Sequence, residues 1–146
     1  MIIKKMTQEH LCGVMEVEHN SFTHPWSENG FVDEIEKESS FCYVALQNDT
    51  VVGFAVIETV LDEGNLLDIA VDEKYRRQGI ARKLFKELFK VADEKKLSFI
   101  TLEVRESSTP AISLYEAHGF ERVGVRKNYY SKPTENAVLM TKYFNL

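Results

Sequence analysis

Three short stretches of this sequence hold residues whose types and spacing could do chemistry. The first is Tyr75-Arg76-Arg77-Gln78-Gly79-Ile80-Ala81, where an apolar run gives way to helical spacing. First turns of helices favour Asp and Glu, because the helix dipole leaves partial positive charge there. Here Arg76 and Arg77 add more positive charge, and no Ser, Thr, Asp or Asn stands at the turn to occupy the free N–H groups. Gly79 permits a tight backbone and the close approach of a ligand. A phosphate-bearing anion answers all three features, against the plainer alternative of two solvated arginines on a loop. No Gly-Lys-Ser/Thr follows and Gly79 is the only glycine there, so ATP and NAD sites of the usual kinds are disfavoured.

The second stretch is Phe99 to Val104, where Glu103 is the only charge in what reads as a buried strand. Glutamate is depleted in strands and costly to bury unpaired. It either pairs with Arg105 or Lys127, lies exposed at the strand end, or acts as a general base whose pKa partial burial raises. The third is Tyr115, two turns into the helix that follows. A tyrosine on an apolar helix face usually packs. As a proton donor it would suit a departing thiolate, since thiol and phenol differ by only about 1.5 units in reference pKa.

The elements that must position these groups follow from periodicity. Ile2 to Lys5 predicts a first strand, and Thr7 caps a helix carrying Leu11, Val14, Met15 and Phe22. Ser27 is expected to cap a second, acidic helix (Glu28 to Glu38), with Trp26 packing on Phe31 as a hydrophobic staple. Phe41–Leu46, Val51–Val60 and Asn65–Val71 predict three strands, the first two joined as a hairpin by Gln47-Asn48-Asp49-Thr50. From Gly79 to Lys96 the period becomes 3.6, with Ala81, Phe85, Leu88 and Ala92 on one face. Ser98–Val104 is a strand showing Ile100, Leu102 and Val104 on one side. The next helix has Thr109 as its N-cap, Pro110 at its first position and Gly119 at its end. Phe120–Arg126 and Asn136–Phe144 close the chain as two strands. The order β-α-α-β-β-β-α-β-α-β-β predicts one mixed α/β domain over residues 1–146, with antiparallel hairpins and a helical crossover.

Composition bounds the rest. With 146 residues, 44% hydrophobic and 28% charged, the chain suits an ordinary globular domain. Its net charge of −5 argues against binding nucleic acid through its phosphates and is compatible with a basic protein or peptide partner. Cys12 and Cys42 lack metal-ligand spacing and read as buried or half-buried free thiols. Neither they nor His10, His19, His24 and His118 suggest a metal, and none is expected. No signal peptide or membrane-spanning run is evident, so a cytoplasmic setting without membrane partners is the simplest expectation.

Together these segments resemble the GCN5-related N-acetyltransferase (GNAT) superfamily over almost the whole chain. Arg76-Arg77-Gln78-Gly79-Ile80-Ala81 matches its pyrophosphate-binding pattern, Leu66–Val71 its cofactor-side strand, and Leu114-Tyr115-Glu116 with Gly119-Phe120 its next helix and strand. A narrower resemblance is to the RimI-type group, which acetylates the N-terminal alanine of small-subunit ribosomal protein number eighteen. Phe22-Thr23-His24-Pro25-Trp26-Ser27, Leu102-Glu103-Val104-Arg105 and Arg126-Lys127-Asn128-Tyr129-Tyr130 carry it.

The resemblance implies a GNAT fold, with about seven strands, four helices and a splayed parallel pair, Asn65–Val71 beside Phe99–Val104. It implies acetyl-CoA as cosubstrate, met by Ile69, Ala70 and Val71 along the pantetheine arm and by Arg76, Arg77, Gln78, Gly79, Ile80 and Ala81 at the pyrophosphate. Ser108 stands near the thioester arm, where many members have asparagine, and Asn136 replaces a common aspartate. Glu103 becomes the base and Tyr115 the acid. Trp26, Tyr129 and Tyr130 border the acceptor groove. Apart from the resemblance, the charge of the acidic helix, Glu34 within it, is suited to steer a basic N-terminal peptide, against the plainer reading of a solvated helix face. A small-molecule amine as acceptor, or a non-catalytic CoA-binding module, stays open as an alternative. A monomer or weak dimer is expected.

Overall fold

The computed structural model describes residues 1–144. Seven strands form one sheet in the order β1-β2-β3-β4-β5-β7-β6. They are β1 (Ile2–Lys5), β2 (Ser40–Gln47), β3 (Thr50–Val60), β4 (Glu63–Val71), β5 (Phe99–Arg105), β6 (Glu121–Tyr130) and β7 (Glu135–Tyr143). Four helices cover it: α1 (Leu11–Ser21), α2 (Glu28–Glu36), α3 (Ile80–Lys95) and α4 (Thr109–Ala117). The mixed α/β architecture is therefore the expected one, with most element ends displaced by one to four residues.

Strand alternation sends side chains to two cores. On one face Leu11, Val14 and Val17 of α1 and Phe31 of α2 pack against Val44, Phe54 and Val56. On the other, Leu84, Phe85, Leu88 and Val91 of α3 and Ile112 of α4 pack against Ala55, Ile57, Ile100 and Leu102. Each fully buried large side chain, such as Phe31 or Phe85, contributes on the order of 1.5–3 kcal/mol.

Local signals behave largely as the sequence predicts, with corrections at Thr7, which caps the 3-10 turn Gln8–His10 leading into α1 rather than α1 itself, at the start of α4, at Phe22 and at Cys12. Ser27 caps α2, its Oγ accepting from the Gly30 N–H at 3.1 Å, and Trp26 packs on Phe31 with ring centroids 4.9 Å apart. The N-cap of α4 is Ser108, one residue before the expected Thr109, which makes Pro110 the second helical residue. Phe22 lies outside α1 as its extended C-cap, exposed, and the buried stripe runs instead through Val17 and Glu18. Cys12 is exposed on the outer side of α1; only Cys42 is buried, where burial and then the Glu34 charge push its thiol up to about 12.

Only β4 and β5 run parallel, and their pairing stops after Glu63↔Phe99, Gly64↔Ile100 and Asn65↔Thr101. Beyond Asn65 the two strands separate, so Leu66–Val71 pairs with β3 on one side and leaves its β5-facing edge bare.

Candidate active site

A cavity of about 360 Å³ opens in this split. Leu66 to Ile69 of β4 and Leu102 to Arg105 of β5 form its sides, while Ser108, Ala111 and Tyr115 of α4 close one end. Glu18, Ser21 to His24 and Trp26, from the C-terminal end of α1 and the turn after it, close the other with Tyr130. Glu103, Tyr115, Ile69, Ser108, Trp26 and Tyr130, far apart in the chain, thus meet around one space.

Glu103 sits on the opposite face of β5 from the buried Ile100, Leu102 and Val104 and is exposed. Of the alternatives open to it, exposure is the one found: α1 and α2 cover that face of the sheet only over β2, β3 and β4. Neither expected cation pairs with it among the described residues; Arg105 turns instead to Glu135, at 3.0 Å. Its neighbour is Tyr129, whose hydroxyl is held above the ordinary phenol value, first by the Glu103 carboxylate and then by burial. Tyr129 is half exposed and meets Tyr130 edge to face at 5.0 Å. Burial, then the Glu103 charge, push the Tyr130 phenol up to about 12.

Tyr115 lies across the split with its ring against Phe85 and Phe120. Burial, then the charges of Asp68 and Tyr130, hold its phenol well above the ordinary value. It therefore keeps its proton at neutral pH and releases it only to a strong base formed nearby. The near balance with a thiol that reference values suggest is thus shifted toward the phenol's keeping its proton, unless the same dry cavity raises the thiol too.

Two further carboxyl groups face the cavity that the motif reading did not single out, Glu18 and Asp68. Both are buried, at 1% and 9% exposure. Glu18 Oε2 accepts the Trp26 backbone N–H at 2.9 Å, tying the end of α1 to the start of α2. Glu18 Oε1 and Asp68 Oδ2 receive no hydrogen bond from any other described residue and have only each other's carboxyl beside them. Burial, followed by the adjacent Glu18 carboxyl, pushes Asp68 far above the carboxylate range. The sequence does carry a signal for each: Glu18 falls one helical turn after Val14 on the apolar stripe, and Asp68 interrupts Leu66-Leu67-Asp68-Ile69-Ala70-Val71.

The segment after β4 builds the second half of the site. Arg77 and Gly79 both have positive φ, 65° and 78°. This winding brings the chain into α3 with Gly79 as N-cap and no capping side chain. The N–H groups of Arg77, Gln78 and Gly79 find no partner among the described residues, and successive free N–H groups next to a helix start favour an anion. Arg76, Arg77, Gln78 and Gly79 are exposed, Ala81 is partly so, and Ile80 is buried as the anchor beneath them. Arg76 Nε donates to the Val71 carbonyl at 3.4 Å, which ties this loop to the end of β4.

Arg105 and Tyr130, both at the cavity, are tied to the turn between β6 and β7. Arg105 donates from its guanidinium to the main-chain oxygens of Ser131 and Pro133, each at 3.1 Å, and lies over the Tyr130 ring at 4.5 Å. Glu135 accepts from Ser107 N at 2.6 Å; Ser107 and then Arg105 hold its carboxyl below the usual range. Asn136 Oδ1 accepts from Asn128 N at 3.0 Å, so its departure from aspartate bears on the β6–β7 hairpin rather than on the cavity. Glu34 lies elsewhere. It is buried, bonded to Lys37 Nζ and Ser40 Oγ, each at 2.7 Å, and joins α2 to β2. A carboxylate already neutralised in this way has little field left to steer a peptide, which corrects the expectation for that residue.

The segment that carries this split parallel pair and capless helix start is matched by a family profile. The acetyltransferase (GNAT) family profile covers residues 11–120. The chain belongs to the GNAT acetyltransferase family. A similar member is the ribosomal protein bS18-alanine N-acetyltransferase of Escherichia coli K12, 35% identical over 142 residues, 94% of each chain. The crystal structure of the ribosomal-protein-S18-alanine N-acetyltransferase from Escherichia coli superposes with a TM-score of 0.90 at 33% identity, covering 99% of this chain and 94% of that one. A GNAT acetyltransferase from Elizabethkingia anophelis with acetyl-CoA bound shares the fold at a TM-score of 0.78 and 22% identity, covering 98% of this chain and 97% of that one. Among the described residues no group of His, Cys, Asp and Glu is arranged to hold a metal ion, and no helix is long and apolar enough to cross a membrane.

Proposed function

We propose that this GNAT protein transfers the acetyl group of acetyl-CoA to the N-terminal α-amine of a ribosomal protein, the alanine of bS18. The observation that carries the reading is the split between β4 and β5, where a bare strand edge and the Glu103–Tyr115 pair face one cavity. The likeness to bS18-alanine N-acetyltransferases over nearly the full chain supports the choice of acceptor.

The residues fit a pantetheine thioester with a pyrophosphate. The free N–H groups of Arg77 to Gly79, with Gln78, Ile80 and Ala81 and the guanidinium groups of Arg76 and Arg77, receive the phosphates. The bare edge at Ile69, Ala70 and Val71 pairs with the pantetheine amides as an added strand would. Ser108 borders the thioester end of the cavity. When bound, acetyl-CoA supplies an activated acetyl carbonyl.

The chain's own groups then manage protons. Glu103, directly or through a water, takes one proton from the acceptor ammonium and frees the lone pair that attacks the carbonyl. Help of this kind is worth about 10²–10⁴ in rate. An α-amine, with a reference pKa near 8, is about one-tenth neutral at pH 7, so it asks less of the base than a lysine does. As the carbon–sulfur bond breaks, Tyr115 protonates the leaving sulfur. The second amine proton, released as the amide forms, restores the phenol, and one proton in all passes to solvent. Tyr129, Tyr130 and Trp26 flank the incoming peptide.

The test is incubation with acetyl-CoA and a hexapeptide carrying the bS18 N-terminal sequence, following thiol release and peptide mass. One added acetyl group on the α-amine, absent when the peptide is N-blocked, is the expected result. Transfer that ignores the second and third peptide residues would reassign the protein to small amines.

A further inference from the structure

Glu18 and Asp68 are not used by the chemistry described above, yet their placement is costly. Two ionised carboxylates in one dry space repel, and each unpaired oxygen forfeits its hydration. The fold accepts this although an apolar pair would pack in the same space. Both side chains line the same cavity as Glu103 and Tyr115, and Glu18 Oε1 and Asp68 Oδ2, closed off from solvent, meet no donor but the other carboxyl. Asp68 stands beside Ile69 on the strand whose edge is bare, and Glu18 is fixed by its bond to the Trp26 N–H. The pair is therefore pre-desolvated, held at Glu18 by the Trp26 N–H, and without a cation against it among the described residues.

Resting on the reading of the protein as an α-amine acetyltransferase, we propose that the Glu18–Asp68 carboxyl pair is the seat for the acceptor's α-ammonium group. An ammonium brings three donors and a positive charge, which is what two acceptor-rich carboxyls lack. The pair holds one proton between its members and so presents a single negative charge to a single positive one. Glu103, on the neighbouring strand, removes the proton from the seated amine. The product is an uncharged amide with one N–H, so acetylation itself ends the attraction and favours release. The seat sets acceptor affinity, whereas Glu103 and Tyr115 set the rate of transfer.

The probe is alaninamide, which carries the α-ammonium and no further sequence, compared with N-acetylalaninamide by NMR titration in the presence of coenzyme A. The wild-type protein should bind the free amine about tenfold more tightly or better, the scale of charge-assisted hydrogen bonds. The double variant Glu18→Gln/Asp68→Asn keeps both shapes and the bond to Trp26 N–H but removes the charge. It should bind the two probes alike and raise KM for the bS18 peptide about tenfold, with kcat much less affected. Each single substitution leaves one ionisable carboxyl and should lose only part of the preference. Unchanged coenzyme A affinity reports that the double variant is folded. A double variant that keeps the wild-type preference, or a wild type that shows none, overturns the seat. Preference for alaninamide without acetylation of the bS18 peptide would instead overturn the choice of acceptor and leave the seat standing.

Discussion

His24 Nε2 donates to the main-chain oxygen of Lys132 across 2.8 Å, joining the turn between α1 and α2 to the hairpin between β6 and β7. The two residues are 108 positions apart in the chain, and the bond ties His24, which lines the cavity, to the hairpin. A hydrogen bond of this kind contributes about 0.5–1.5 kcal/mol net. His24→Ala should therefore raise KM for a peptide acceptor roughly two- to tenfold. Coenzyme A affinity should not move, because the pyrophosphate loop lies beyond β4. Steady-state kinetics with the hexapeptide and with alaninamide separate the cases: a loss confined to the peptide assigns the bond to peptide binding.

Glu103→Gln removes the proposed base without changing the shape of β5. Turnover should fall by about 10²–10⁴, most strongly at lower pH, where the amine arrives protonated. A second readout does not depend on turnover. The Tyr129 phenol, held up chiefly by the Glu103 carboxylate, should titrate at lower pH in the variant, visible as an earlier rise in tyrosinate absorbance. A variant with wild-type turnover at every pH would take Glu103 out of the mechanism.

The sequence made the scaffold readable where signals are local. The Ser27 cap, the Trp26–Phe31 staple and the 3.6 period of α3 each follow from residues within two turns of one another. Glu103 stood out because it is the one charge in an apolar strand, and the anion loop because its charges oppose the helix dipole. What was not legible depends on separate elements meeting. Glu18 and Asp68 each interrupt an apolar pattern, but that they meet at one cavity shows only once α1 is laid on β4. Glu34 looked available for steering because its partners, Lys37 and Ser40, reveal themselves only when α2 docks on β2. Alternation gives Glu103 its face of β5, but only the docking of α1 and α2 over β2 to β4 decides that nothing covers it.

Asp68 also predicts how stability depends on pH. Its folded pKa lies far above the unfolded carboxylate value, so between the two the folded state binds more protons than the unfolded one. Stability from this group is fully present below the unfolded value, near 3.9, and declines as pH rises toward the folded one. The limiting slope for one group is about 1.4 kcal/mol per pH unit. Asp68→Asn should remove that slope and raise the thermal midpoint at pH 7–8 more than at pH 5. Calorimetric melts of both proteins across this range provide the check, and parallel curves would mean that Asp68 is ionised in the native state.

Gly79 offers a test of the anion loop in which sterics and backbone strain separate. A Cβ built there meets nothing within 4 Å, so an alanine has room. Its φ of 78°, however, belongs to the left-handed region, which costs an L-residue about 1–2 kcal/mol. Gly79→Ala should therefore lower stability by about that amount or let the turn relax toward negative φ, which redirects the free N–H groups of Arg77 to Gly79. In the second case coenzyme A should bind more weakly, while desulfo-pantetheine fragments without the pyrophosphate bind as before. Isothermal titration with both ligands distinguishes the outcomes. Equal weakening for both would show that the glycine serves β4 and α3 rather than the phosphates.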